Sequence, residues 1–304
     1  LARRRHVVSV SPLRGAITAL VTPFLPGGAL DEPALRALVA WQIAEGIDGL
    51  VPVGSTGEAA TLTLAERVRV VAITAEVVAG RVPVIAGAGA NDTAVAIENS
   101  RALSAAGATH LLHVSPAYSK PPQRGILAHF RAVADASPLP VVLYNVPGRT
   151  ASNMEADTTL ALAEHPNIVA VKEASGDLAQ IAEIIRRRPA GFSVLSGDDP
   201  LTLGVMAHGG EGIISVVSNA APAAMHALAA AAAAGDHARA REVHDRLTPL
   251  FAAAFVESNP IPIKAALAAM GRIGNVLRLP LVPLDERHER PLHAALVATG
   301  VLPA

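Results

Sequence analysis

Short, unbroken apolar runs recur along the chain at residues 16–24, 49–55, 83–89, 110–116, 140–147, 168–174, 192–197 and 212–217. They do not alternate apolar with polar, which predicts strands of a parallel sheet covered on both faces. Between them lie segments of helical periodicity at 32–45, 64–78, 93–106, 125–136 and 178–188. Repeated β-then-α units without a linker predict a (β/α)8 TIM barrel, with a doubly wound sheet as the rival arrangement. Further helical patterns at 223–234, 237–256 and 262–270 follow the last run. The expected organisation is a basic tail over 1–14, a barrel over 15–235 and a C-terminal helical subdomain over 236–304.

Composition narrows the classes. The 304 residues are 51% hydrophobic, 17% charged and 3% aromatic, so disorder is excluded and an aliphatic core is expected. A formal charge of −1 provides no basic field for nucleic acid or an anionic membrane. The absence of cysteine removes disulfides, thiolate metal sites and a cysteine nucleophile. Arg3, Arg4 and Arg5 precede an apolar patch that Ser9, Ser11 and Pro12 interrupt too early for a signal sequence. The Ala-rich tract at 220–234 is broken by Pro222 and His226, which fits a core helix rather than a membrane span. A cytoplasmic protein is expected.

In a barrel, chemistry gathers at the carboxyl ends of the strands. Here these ends carry Gly54-Ser55-Thr56-Gly57-Glu58, Ala117-Tyr118, Tyr144-Asn145-Val146-Pro147-Gly148-Arg149, Lys172-Glu173 and Asp198-Asp199. Lys172 is the most informative, because only three of the 25 Lys and Arg residues are lysines and this one ends a buried-looking strand. A desolvated lysine loses its proton readily and attacks carbonyls to form imines. The other reading is an ion pair with Glu58 or Glu173.

The only two tyrosines, Tyr118 and Tyr144, also fall at strand ends. Phenols there can pass protons if Ser55 or Thr56 supplies another hydroxyl, or they can simply pack at the rim. Gly54 to Gly57 offers backbone N–H groups to a carboxylate, or forms an ordinary turn. Arg149 can grip a carboxylate bidentately, or stand solvated on its loop. The eleven His show no ligand spacing; His113 and His208 are read as packing or hydrogen-bonding residues, and no metal is expected. Asp198 and Asp199 are read as capping the next helix.

Several ordered motifs carry a resemblance over about 15–302: Gly54 to Glu58, Tyr144 to Thr150, Val171-Lys172-Glu173-Ala174-Ser175-Gly176, Gly212-Ile213-Ile214-Ser215-Val216 and Asn259-Pro260-Ile261-Pro262-Ile263-Lys264. The chain resembles the pyruvate-dependent class I aldolase superfamily of dihydrodipicolinate synthase and N-acetylneuraminate lyase, most closely its synthase branch. The resemblance implies a lyase in which Lys172 forms a Schiff base with pyruvate. The enamine then attacks aspartate 4-semialdehyde on the route to diaminopimelate and lysine. It implies Tyr144 as acid/base, Ser55 and Tyr118 as its relay, and Gly54, Thr56 and Ile214 as pyruvate contacts. Arg149 would clamp the second carboxylate. It further implies a homotetramer of tight dimers, in which Tyr118 reaches the neighbouring site, and no cofactor beyond the imine on Lys172. A sister aldolase acting on a sugar acid or 4-hydroxy-2-oxo acid, and a non-catalytic barrel binding a small acid, are the alternatives.

Three positions depart from the branch. Ser55-Thr56 replaces a pair of threonines while keeping the hydroxyl, and Ala117 replaces one of two adjacent tyrosines. Where lysine-inhibited members carry a polar, acidic set, this chain has Ala59, Leu64, Arg67 and Val95, with Asn91 kept. A buried ammonium would find no acidic partner there. Little feedback by lysine is therefore expected; half-maximal inhibition at submillimolar lysine in a steady-state assay would overturn this.

Overall fold

Val, Ile and Leu crowd the apolar runs, and each run forms one strand. In a computed structural model of the chain, which describes residues 12–303, the order begins β1 (Gly15–Ala19), α1 (Glu32–Ala44), β2 (Gly49–Val51), α2 (Leu64–Val78), β3 (Ile85–Gly87) and α3 (Thr93–Ala105). It continues β4 (His110–Val114), α4 (Gln123–Ala136), β5 (Val141–Asn145), α5 (Pro147–Thr150), α6 (Ala156–Ala163), β6 (Ile168–Glu173) and α7 (Leu178–Arg187). After β7 (Ser193–Ser196), α8 (Thr202–Ala207) and β8 (Gly212–Ser215) come α9 (Pro222–Ala233), α10 (His237–Ala253), α11 (Ile261–Ala269) and α12 (Glu286–Ala298). Of the expected basic tail over 1–14, residues 1–11 lie outside the described residues, and Leu13 is buried at the amino end of the barrel.

The parallel sheet runs β2-β1-β8-β7-β6-β5-β4-β3. Its two end strands meet through a parallel bridge between Leu50 and Val84. Leu50 N–H donates to Pro83 O at 3.0 Å and Gly87 N–H to Pro52 O at 3.1 Å. The sheet therefore closes on itself, and the doubly wound alternative is set aside. At this seam a Cβ on Gly87 would overlap the carbonyl of Val53, so the strands approach only around a residue without a side chain.

Every strand contributes aliphatic packing to the filled interior, through Ile17, Val51, Ile85, Leu112, Val142, Ala170, Leu195 and Ile214. The strands end earlier than the apolar runs, because the carboxyl-end residues leave the ladder to build loops. Four helices escaped the periodicity. The short α5 and α8 span about one turn or slightly more. Buried Thr158 and Thr159 blur α6. In α12, polar residues and Pro291 come before the buried Leu292, Ala295 and Leu296.

The helices after β8 bind back onto the barrel. In α11, Lys264 is fully buried and its Nζ donates to Glu58 Oε1 at 2.6 Å and Thr22 O at 3.0 Å. The ammonium also lies 4.4 Å from the centre of the Phe24 ring. Arg278 N–H donates to the other Glu58 oxygen at 3.1 Å. Desolvation pulls the Lys264 pKa down while the Glu58 charge opposes it. Removing one member leaves the other charge buried without its counter-ion. Lys264→Met is expected to destabilise the fold by ~3–5 kcal/mol, measured as a fall in the urea midpoint; an unchanged midpoint would show that the pair is dispensable.

Candidate active site

Strand periodicity of two carries the interior pattern one step beyond Val142 and Ala170, to Tyr144 and Lys172. These two are register partners on β5 and β6, so both side chains face the barrel mouth. Lys172 Nζ lies 4.5 Å from the centre of the Tyr144 ring. The lysine stem passes the residue just after β7, where a Cβ on Gly197 would stand 3.0 Å from Lys172 Cε. Glycine therefore leaves room for the amine at this level.

Lys172 is 5% exposed and forms no salt bridge or hydrogen bond among the described residues. Burial lowers its pKa to about 8, with Asp199 opposing the shift and Arg149 adding to it. The ion-pair reading fails because both named carboxylates are engaged elsewhere. Glu58 binds Lys264, while Glu173 accepts from Asn145 Nδ2 at 3.1 Å and Ser175 N–H at 2.8 Å. Burial pushes the Tyr144 phenol up to about 12, against a smaller opposing effect of Arg149. The site thus holds a readily deprotonated amine beside a phenol that keeps its proton at neutral pH.

A cavity of about 530 Å³ above them is lined by Gly54, Ser55, Thr56, Tyr144, Arg149 and Lys172, among others. Thr56 Oγ1 accepts from Asn259 Nδ2 at 2.9 Å, and Arg149 Nη2 donates to Asn259 O at 3.1 Å. The Tyr144 phenol forms no hydrogen bond among the described residues, so Ser55 and Tyr144 share the cavity without a hydrogen bond between them. Tyr118 is not brought there at all. It is 92% exposed, at a positive φ of 69°, and lies outside this chain's own cavity. Ile214 is fully buried in the barrel interior below the cavity, whose wall at this strand is instead Val216.

Asp199 does not cap α8. Leu201 occupies the N-cap without a side-chain bond, whereas Asp199 is fully buried and accepts from Ser215 Oγ and from Val216 N–H at 3.0 Å. Burial raises its pKa to about 6. Asp198 lines the cavity. His113 is buried with Nε2 3.2 Å from Ser100 Oγ, but His208 is exposed at the end of α8 rather than packed. Residues the sequence reading missed come from beyond the barrel: Asn259 and, on α10, His244, Thr248 and Phe251. Asn259 stood in a quoted motif, whereas nothing local marks the α10 residues.

A closed barrel with a desolvated, unpaired lysine at its mouth belongs among barrels suited to imine chemistry at a carbonyl carbon. Residues 12–299 match the dihydrodipicolinate synthetase family, and the chain belongs to it. A 4-hydroxy-tetrahydrodipicolinate synthase of Maridesulfovibrio salexigens is 49% identical over 290 residues, 95% of this chain and 99% of the relative. The synthase of Neisseria gonorrhoeae is likewise 49% identical, over 95% of this chain and all of the relative. The dihydrodipicolinate synthase of Acinetobacter baumannii, solved with pyruvate, superposes with a TM-score of 0.94 at 43% identity, covering 95% of this chain and 99% of that one.

The charges around Lys172 give its reactivity a pH signature. Its neutral fraction rises through a midpoint near pH 8. Arg149→Met should move that midpoint up and Asp199→Asn down, since the first removes a repelling cation and the second an attracting anion. Reductive methylation of Lys172, followed by peptide mass spectrometry across pH, measures this; opposite shifts would refute the assignment.

Proposed function

We propose that the chain condenses pyruvate with L-aspartate 4-semialdehyde to give 4-hydroxy-tetrahydrodipicolinate, the reaction for which its relatives are named. The observation that carries this reading is Lys172, an unpaired amine with a lowered pKa beneath a cavity of substrate size. Neutral Lys172 attacks the pyruvate ketone, and loss of water gives the imine. The imine draws electrons from the adjacent C–H bond, and the resulting enamine carbon bonds to the semialdehyde carbon. The adduct cyclises and releases the lysine.

Tyr144 moves the protons of imine formation and collapse, with Ser55 as relay. Backbone groups at Gly54 and Thr56 hold the pyruvate carboxylate, above the buried layer that Ile214 fills. Arg149, exposed and with most of its guanidinium donors free, holds the carboxylate of the acceptor. That cation favours an acidic acceptor over an uncharged sugar chain. The imine itself serves as electron sink, so the reading needs neither a metal nor an organic cofactor.

Tyr118 completes the relay in a neighbouring copy of the chain. A tyrosine held at positive φ with its ring in solvent gains from a surface that covers it. We read the assembly as at least a dimer and, from the family resemblance, a homotetramer. No described helix is long and apolar enough to cross a membrane, and we propose a cytoplasmic location suited to biosynthesis.

Borohydride trapping with pyruvate, read by peptide mass spectrometry, tests the chemistry. A reduced pyruvyl adduct on Lys172 that prior semialdehyde discharges is the expected result, and Lys172→Ala should abolish it while lowering turnover by at least about 10³-fold. An adduct that the semialdehyde leaves intact would assign a sister aldolase. No adduct would leave a small-acid binding barrel.

A further inference from the structure

The alternation that sends Tyr144 and Lys172 into the barrel sends the next residues, Asn145 and Glu173, out toward the helix layer. They too are register partners on β5 and β6, and both are fully buried. Two residues earlier on this face, Leu143 and Val171 belong to one apolar cluster with Ile181 and Ile184 of α7. At the level of the reactive pair, that apolar packing gives way to hydrogen bonds. Asn145 Nδ2 donates to Asn153 Oδ1 at 2.8 Å and to Glu173 Oε1 at 3.1 Å, while Asn145 Oδ1 accepts from Met154 N–H at 2.9 Å. Glu173 also accepts from Ser175 N–H at 2.8 Å and from Gln180 Nε2 at 3.3 Å, and Asn153 Nδ2 donates to Gln180 Oε1 at 2.7 Å.

Hydrogen bonds alone hold the Glu173 carboxylate, with no cation paired to it among the described residues; burial pushes its pKa up and these bonds oppose the shift. An aliphatic pair would fill the same space without desolvating an amide and a carboxylate, so packing does not account for the network. Hydrogen bonds add direction, which aliphatic contacts lack. The segment whose two ends Asn145 ties together, residues 146–152, contains α5 and carries Arg149. Asn145 thus closes the base of that loop, and Glu173 fastens Asn145 to the strand that bears the lysine. The Arg149 guanidinium makes one hydrogen bond among the described residues, to Asn259 O, so the base of the loop governs where its other donors point. Neither Asn145 nor Glu173 lines the catalytic cavity.

We propose that Asn145, anchored by Glu173, is a positioning residue that sets the place of Arg149 and thereby the recognition of the acceptor carboxylate, without touching substrate. The inference rests on the reading of Arg149 as the acceptor clamp. Kinetics of the full-length protein separate the two. Asn145→Ala should lower kcat/KM for L-aspartate 4-semialdehyde at least about tenfold, while the pyruvate concentration that half-saturates borohydride trapping on Lys172 stays within about threefold. Asn153→Ala removes one bond of the loop base and should show the same split at smaller size. In the Arg149→Met background, Asn145→Ala should cost less than about threefold more, because a residue that acts through the guanidinium has nothing left to place.

Thermal melts check that each variant folds; if Asn145→Ala does not, Asn153→Ala and its pairing with Arg149→Met decide. A loss shared equally between semialdehyde turnover and pyruvate trapping, or a full further loss in the Arg149→Met background, would mean that Asn145 only supports the fold. A large effect of Arg149→Met with none from Asn145→Ala would sink the positioning role alone. An Arg149→Met variant with unchanged kcat/KM for the semialdehyde would instead remove the clamp, and the positioning role with it.

Discussion

The roof of the catalytic cavity rests on two opposite charges buried together. Glu58 closes the loop after β2, and Lys264 sits on a helix reached only after the barrel is complete, yet their side chains meet at full burial. Neither charge tolerates that environment alone, so the helical segment cannot drift from the mouth without exposing or orphaning one of them. The contact fixes more than itself. Asn259, five residues before Lys264, is held against Thr56 on one side and Arg149 on the other. Loops from β2 and β5 and the C-terminal helices therefore share one hydrogen-bonded junction above the lysine.

Below that junction, the register of a closed parallel sheet does the remaining positioning. Cross-strand partners on a parallel sheet share a face, so aligning Val142 with Ala170 also aligns Tyr144 with Lys172. One layer supplies aliphatic packing; the next, where the barrel opens, supplies an amine and a phenol. Burial acts on the two groups in opposite directions, favouring the neutral form of each. The result is an amine that readily loses its proton beside a phenol that keeps its own, with no carboxylate paired to the amine among the described residues. Asp199 is set one step further away, spending its hydrogen bonds on the start of the turn after β8.

Much of this was legible in the sequence. Unbroken apolar runs demanded a sheet covered on both faces, and eight of them with helices between left few closed arrangements. Lys172 stood out because the chain otherwise uses arginine for positive charge, and a lone lysine ending an aliphatic strand has few reasons to be there. The tyrosines were legible by rarity, but not their separation. Tyr144 points inward by register, while Tyr118 follows β4 on a loop and stands in solvent. The weakly patterned helices α6 and α12 were missed because their apolar faces are narrow or interrupted, and tertiary packing rather than local periodicity sustains them.

By itself, then, the sequence determined the strand-and-helix alternation and the aliphatic core and singled out Lys172 as the candidate amine, since each follows from local pattern or residue scarcity. Only the tertiary structure decided which carboxylate belongs to which cation. Glu58 was as plausible a partner for Lys172 as for Lys264 until the fold brought it to the latter, and that choice is what leaves Lys172 unpaired. The same holds for the roof residues of α10. Desolvation and pairing depend on neighbours hundreds of residues apart, and no local pattern encodes that distance.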